Sequence, residues 1–146
     1  MVEPAQNIAN RALRVAYVSV ADPRDPRAWS GSHQRIFAAI TPYVGEVVAI
    51  GPLDSRWRPP LEIVAKLSRH LLRRRLASET SPLIAADHAR QIEARLEHRP
   101  FDVILAVASS GEVAHLRTSL PIVSLSDATF AARIISRDIA ALRRDW

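Results

Sequence analysis

Three polar segments carry the side chains and backbone groups that could bind a ligand. They are Trp29-Ser-Gly-Ser32, Ser109-Ser-Gly-Glu112 and Ser126-Asp-Ala-Thr129. A turn such as the first places backbone N–H groups at the start of a helix, where an anionic or hydroxyl-rich group can be held. Each segment also has an ordinary structural role open to it, because Ser, Asp and Thr are common N-cap residues of helices.

Apolar, β-branched runs of strand length alternate along the chain with stretches of helical periodicity. The runs lack clean polar alternation, which indicates strands covered on both faces of a parallel sheet. The predicted strands are Val15–Val20, Glu46–Ile50, Asp102–Val107 and Pro121–Leu125. The predicted helices are Ser32–Val44 (which Pro42 should close), Leu61–Leu76, Pro82–His98 with Ser81 as its N-cap, a short helix from the capping box at Ser109 to Arg117, and Ala128–Trp146.

This order of elements predicts an α/β fold with a doubly wound, Rossmann-like parallel sheet of about four strands. A single domain, residues 13–146, would follow a disordered leader of residues 1–12. Ligands of such open sheets bind outside the carboxyl ends of the strands. The three polar segments come after predicted strands, so we expect all of them at one edge of the sheet.

Several kinds of chemistry are excluded by what the chain lacks. It has no cysteine, so disulfides and thiolate catalysis are absent. Neither G-x-G-x-x-G nor G-x-x-x-x-G-K-[ST] occurs, and there is no G-x-S-x-G elbow. The five histidines show no metal-ligand spacing, so we expect no metal ion and no cofactor. No apolar run reaches the roughly 18 residues that a membrane span needs.

The positive charge of the chain is concentrated in one stretch. The sequence has 20 Lys and Arg against 15 Asp and Glu, and residues 56–75 hold seven of those basic residues and one acid. Three interpretations remain open: a solvated helix face, an amphipathic helix on an anionic membrane surface, and a docking surface for a protein partner. Nucleic acid is not expected, because no aromatic interleaving or reading motif accompanies the charges. The basic surface is assigned to Arg69, Arg73, Arg74 and Arg75.

Two longer strings resemble a known family. Asp22-Pro-Arg-Asp-Pro-Arg-Ala-Trp-Ser-Gly31 after the first strand and Pro121-Ile-Val-Ser-Leu-Ser-Asp-Ala-Thr-Phe130 later in the chain together resemble the N-terminal domain of bacterial family-4 glycosyltransferases. The resemblance covers about Leu13 to Ala131. It implies the GT-B architecture, in which two Rossmann-like domains face each other across a cleft, and retaining transfer from a nucleotide sugar.

The resemblance also implies roles for the polar segments. The N-terminal domain of that family mainly shapes the acceptor site, and its partner domain binds the nucleotide sugar. Ser30, Gly31 and Ser32 would line the cleft near the donor phosphates and the acceptor. Ser126, Asp127 and Thr129 would form the opposite rim, and Ser109 would also line the cleft. Many members carry a histidine near the cleft, where this chain has Ala108, Ser109 and Ser126. No catalytic residue is assigned.

The chain also differs from the family in length, and this difference determines the activity that we expect. It ends at Trp146, before such a domain would normally finish, and no donor-binding domain with its paired glutamates follows. We therefore expect a truncated, acceptor-binding half that is inactive alone, with a nucleotide sugar and a glycan or lipid acceptor as partners only beside a C-terminal half. It would be cytoplasmic, or peripheral on the inner face of the membrane. The alternative is a non-catalytic Rossmann-like module that binds an anionic membrane or a protein through its basic helix.

Overall fold

The structure is a computed structural model that describes residues 12–71 and 81–127. The predicted leader, apart from Ala12, and the predicted C-terminal helix lie outside these residues. The strands are β1 (Arg14–Val18), β2 (Glu46–Ile50), β3 (Val103–Val107) and β4 (Ile122–Leu125). The helices are α1 (Ser32–Ile40), α2 (Arg58–Leu71), α3 (Pro82–Glu97) and α4 (Ser110–Val113).

The four strands form one sheet in which every pair is parallel, in the order β2-β1-β3-β4. The predicted α/β fold with a Rossmann-like parallel sheet is therefore confirmed. In the register of the sheet, Tyr17 of β1 lies between Ala49 of β2 and Leu105 of β3. The chain moves outward from β1 to β2, then returns past β1 to β3 and β4. The direction of winding thus reverses between β1 and β3.

The two faces of the sheet are covered by different helices. On one face, the rings of Tyr17 and Phe37 meet edge to face at 5.3 Å, which packs α1 against β1. On the other face, Ala16 and Val18 belong to a buried apolar cluster with Ile92 of α3 and Ile104 of β3. Val113 of α4 packs against that cluster too. Alternate residues of β1 therefore point to opposite layers of the core, as the period of a strand requires.

Several element boundaries differ from the predicted ones for local reasons. α1 ends at Ile40 and tightens into a 3₁₀ turn, Thr41–Tyr43, at Pro42, as expected for a proline near a helix end. β1 stops at Val18, because the chain turns at Ser19, whose hydroxyl donates to the carbonyl of Ala21. α2 begins three residues earlier than predicted, since two prolines suit the first turn of a helix.

The capping box predicted at Ser109 does not form. Ser109 does precede α4, but its hydroxyl donates to the carbonyl oxygen of Val107 (2.9 Å), and no side-chain cap closes the helix. Glu112, the other member of the box, lies instead 3.6 Å from a ring nitrogen of His88 on α3. A tertiary contact has replaced the local one.

The loop after β2 packs tightly against the loop after β1. A Cβ atom at Gly51 would lie 2.7 Å from the carbonyl oxygen of Ser19 and 2.9 Å from that of Ala21. The same loop is fixed to α3, because the Ser55 hydroxyl donates to Asp87 at 2.8 Å. Within the described part of the chain, no helix combines the length and the apolar character needed to cross a bilayer.

We expect Gly51→Ala to destabilise the protein by about 1–3 kcal/mol, because its methyl group would collide with two backbone oxygens that cannot move independently of the sheet. Urea unfolding at neutral pH measures the change. Gly111→Ala is the matched control: a Cβ there meets nothing within 4 Å, and alanine in a helix is better than glycine by about 0.5–1 kcal/mol. Equal effects of the two substitutions would contradict the close approach at Gly51.

Candidate functional site

The carboxyl edge of the sheet contains the point at which the winding reverses. The segment after β1 leads to α1 on one face, and the segment after β3 leads to α4 on the other. The two segments therefore diverge, and open α/β sheets bind their ligands in the crevice between segments that diverge in this way. Ser126 and Asp127 follow β4 at the same edge, about 10 Å from β1 at two strand spacings.

Turn hydrogen bonds shape the loop that follows β1. Asp22 Oδ1 accepts from the N–H of Arg24, and Asp25 Oδ1 accepts from the N–H of Arg27, both at 2.9 Å. The Arg27 side chain also donates to Asp25, and these hydrogen bonds lower the pKa of that carboxyl. The two Asp-Pro dipeptides thus act as turn formers, and their carboxylates are already hydrogen bonded within the loop.

The turn before α1 holds three successive residues in the left-handed region. Trp29 has φ 48°, Ser30 has φ 54° and Gly31 has φ 81°. Only glycine adopts such a conformation without strain, and each of the other two residues costs about 1–2 kcal/mol. Strained residues of this kind persist only where their surroundings fix them, and they concentrate at functional sites.

An aromatic cluster beneath the turn supplies that fixation. The ring of Trp29 lies 5.2 Å from that of His33, which is buried in the first turns of α1. The Tyr17 hydroxyl forms a hydrogen bond with His33 Nδ1 at 3.1 Å and also lies 3.4 Å from the His33 carbonyl oxygen. The central strand is thereby connected through His33 to the strained turn.

Burial keeps both members of this hydrogen bond uncharged near neutral pH. It raises the pKa of Tyr17 to about 12 and lowers the pKa of His33 below its ordinary value. Removing either group from water disfavours its charged form. The pair is therefore a neutral positioning element beneath the crevice.

The start of α1 can receive a polar group. Gly31 is its N-cap and supplies no side-chain oxygen, so no side chain caps the first turn. The Ser32 N–H donates to the carbonyl oxygen of Trp29. In general, the first N–H groups of a helix have no partner within the helix and can bind a ligand. Ser30 is exposed at the same place.

The β3 side of the crevice has a strained residue of its own. Ala108 is exposed and has φ 51°, directly after the last residue of β3. Ser109 is buried, with its hydroxyl bonded to Val107, so the hydroxyl exposed on this side belongs to Ser110. Left-handed alanine and serine on the two sides of one crevice are an independent indication that this edge is specialised.

The structure brings together most of the residues that the sequence singled out. The segments containing Ser30–Ser32, Ser109, Ser126 and Asp127 all lie at the carboxyl edge, and both residues after β4 are exposed. Thr129 lies outside the described residues. The predicted basic surface is largely untested. Arg69 is on α2 but its side chain is not described, and residues 73–75 lie outside the described residues.

The sequence pattern did not predict the two buried histidines near the candidate site. His33 carries the turn, and His88 of α3 lies with Nδ1 3.6 Å from Glu112 Oε1, which joins α3 to α4. A signal for the second was present, since His88 stands four residues from both Ile84 and Ile92 on the buried face of α3. The local sequence pattern contains no such signal for His33. Among the described residues, no group of three or more potential ligands could hold a metal ion.

Comparison of the chain with protein-family models, with curated proteins and with solved structures gave no match.

The stability contributed by His33 is expected to fall in mild acid. Because burial lowers its pKa in the folded state, the unfolded chain binds more protons below its own histidine pKa of about 6.5. The contribution is fully present above that pH and is lost as the pH falls through the folded pKa. We expect His33→Gln to lose less stability than the wild type between about pH 7.5 and pH 5.5 in urea unfolding.

His98→Gln is the control for this measurement, because His98 is an exposed histidine at the end of α3. It should follow the pH profile of the wild type. A His33→Gln profile that also coincides with the wild type would mean that the Tyr17–His33 pair does not depend on a neutral imidazole.

Relief of the strain at Ala108 should stabilise the fold. Ala108→Gly is expected to raise the free energy of unfolding by about 0.5–1 kcal/mol, because glycine adopts the left-handed conformation without a Cβ clash. Ala38→Gly, on an exposed position inside α1, should instead cost about 1 kcal/mol. A loss of stability for both variants in urea unfolding would show that Ala108 is not strained.

Proposed function

We propose that this chain is the acceptor-binding half of a retaining sugar transferase that uses a nucleotide sugar, and that it is inactive alone. One observation carries the proposal. Of the two strings that resemble family-4 glycosyltransferases, 22–31 follows β1, and 121–130 contains β4 and continues past its carboxyl end. Residues 22–31 and 126–127 therefore lie at the carboxyl edge of a parallel sheet, the edge that contains the switch point. The two segments could line one cleft only if they lie at the same edge of the sheet.

The chemistry of the edge favours binding over proton transfer. Its exposed groups include the hydroxyls of Ser30 and Ser110 and the carboxylate of Asp127, together with backbone groups at the start of α1. The carboxylates of Asp22 and Asp25 are engaged in turns, and the Tyr17–His33 pair is neutral. Such an edge suits hydroxyl-rich and phosphate-bearing molecules, which it would hold and orient.

The proposal divides the reaction between two polypeptide units. Sugar transfer needs donor and acceptor held in one geometry, and most of the advantage comes from that positioning. This chain would orient the acceptor and contact the donor phosphates through Ser30–Ser32, with Ser126 and Asp127 on the opposite rim. The nucleotide sugar and a glycan or lipid acceptor would meet only beside a C-terminal, donor-binding half, on the cytoplasmic side of the membrane and without a metal ion.

The proposal is tested by calorimetric titration of the full chain with glucose 1-phosphate at low ionic strength. We expect Ser30→Asp to weaken binding at least about tenfold, because its carboxylate would occupy the anion-accepting start of α1. Ser119→Asp is the matched control. It introduces the same charge at another exposed serine, just before β4 and therefore at the opposite edge of the sheet.

Three results would contradict the proposal. The first is that the wild-type chain does not bind glucose 1-phosphate. The second is that Ser119→Asp weakens binding as strongly as Ser30→Asp. The third is that the chain alone hydrolyses UDP-glucose or transfers sugar from it with turnover. The expected assay result is no turnover by the chain alone.

A further inference from the structure

Helix α2 presents an uncovered apolar stripe. Ile63, Val64 and Leu67 are 66 %, 51 % and 58 % exposed, although they are among the most apolar side chains in the protein. They stand at positions i, i+1 and i+4, which places them on one face of the helix. An apolar stripe of this kind on a polar helix marks an interaction surface.

The opposite face of α2 is charged. Arg58, Glu62 and Lys66 follow one another at intervals of four residues and are exposed. Glu62 is the one acid among residues 56–75, which contain seven basic residues. The described part of α2 therefore combines an exposed apolar stripe with a flank of two basic residues and one acid, and the helix is about 21 Å long.

The beginning of α2 is fixed to the rest of the protein beside an exposed tryptophan. The Trp57 N–H donates to the Ser55 hydroxyl, which donates to Asp87 of α3. Trp57 is 38 % exposed, and the guanidinium of Arg56 lies 5.4 Å from the centre of its ring. Tryptophan and arginine in such a position favour the boundary between water and an apolar phase.

We propose that α2 docks on the surface of an anionic lipid bilayer, with Ile63, Val64 and Leu67 at the acyl boundary and the basic residues among the headgroups. Charge complementarity selects this occupant. A second copy of the chain would bring two equally basic surfaces together and be repelled. An anionic bilayer instead attracts each basic residue and accepts the apolar stripe over its whole length.

This surface is separate from the crevice at the switch point. The sugar-phosphate titration uses a soluble probe and no lipid, so its failure would leave the lipid proposal standing. Failure of lipid binding would likewise leave the acceptor-binding proposal standing.

The test is co-sedimentation of the full chain with phosphatidylglycerol-containing vesicles and with pure phosphatidylcholine vesicles. We expect binding to the anionic vesicles at low salt, little binding to the neutral ones, and a marked loss at about 1 M salt, where the Debye length is about 3 Å. Ile63→Ser/Leu67→Ser should reduce the partition coefficient at least about tenfold. Arg58→Ser/Lys66→Ser should reduce it mainly at low salt.

The controls are substitutions of equal chemistry away from α2. Tyr43→Ser/Leu83→Ser removes two apolar side chains that are 87 % and 54 % exposed, and Arg35→Ser removes an exposed charge of α1. Both should bind vesicles as the wild type does, and circular dichroism should show every variant folded. The proposal is overturned if the wild type does not bind anionic vesicles, or if the control variants lose as much binding as the α2 variants. It is also overturned if the α2 variants alter the self-association of the chain and leave vesicle binding unchanged.

Discussion

The central strand β1 is the constraint on which the remaining structure depends. It pairs with β2 on one side and β3 on the other, and four of its five residues are buried. Because each neighbour is parallel, every connection must cross from one edge of the sheet to the other, and α1 and α3 are pressed onto opposite faces. Tyr17 and Ala16, neighbours in sequence, therefore face two separate layers of packing.

This arrangement is also what allows strain at the carboxyl edge. Trp29 and Ser30 could not hold left-handed conformations on an unsupported loop, where the chain would relax. The Tyr17–His33 hydrogen bond and the contact of the Trp29 and His33 rings connect the turn to the most buried strand. On the β3 side, Ala108 follows directly from a fully buried strand end, so the same rigidity extends across the crevice.

The sequence was informative where one local interaction decides the structure. Apolar, β-branched runs predicted all four strands to within two residues at either end, and Pro42 predicted the end of α1. Local sequence patterns gave a wrong prediction where a residue distant in the sequence makes the deciding contact. The Ser109 capping box is good local chemistry, but Glu112 lies beside His88 instead. The left-handed Trp29 and Ser30 contradict local preference, since only Gly31 in that turn suits such a conformation, and their support comes from Tyr17, twelve residues upstream of Trp29.

The most direct test of the central claim is an amide map of ligand contact. Full-length ¹⁵N-labelled chain would be titrated with glucose 1-phosphate and its backbone amide shifts assigned. We expect the largest changes at Ser30–His33 and at Ala108–Ser110, on the two sides of the switch point. Changes confined to α2, or to the amino edge around Arg14 and Asp102, would contradict it.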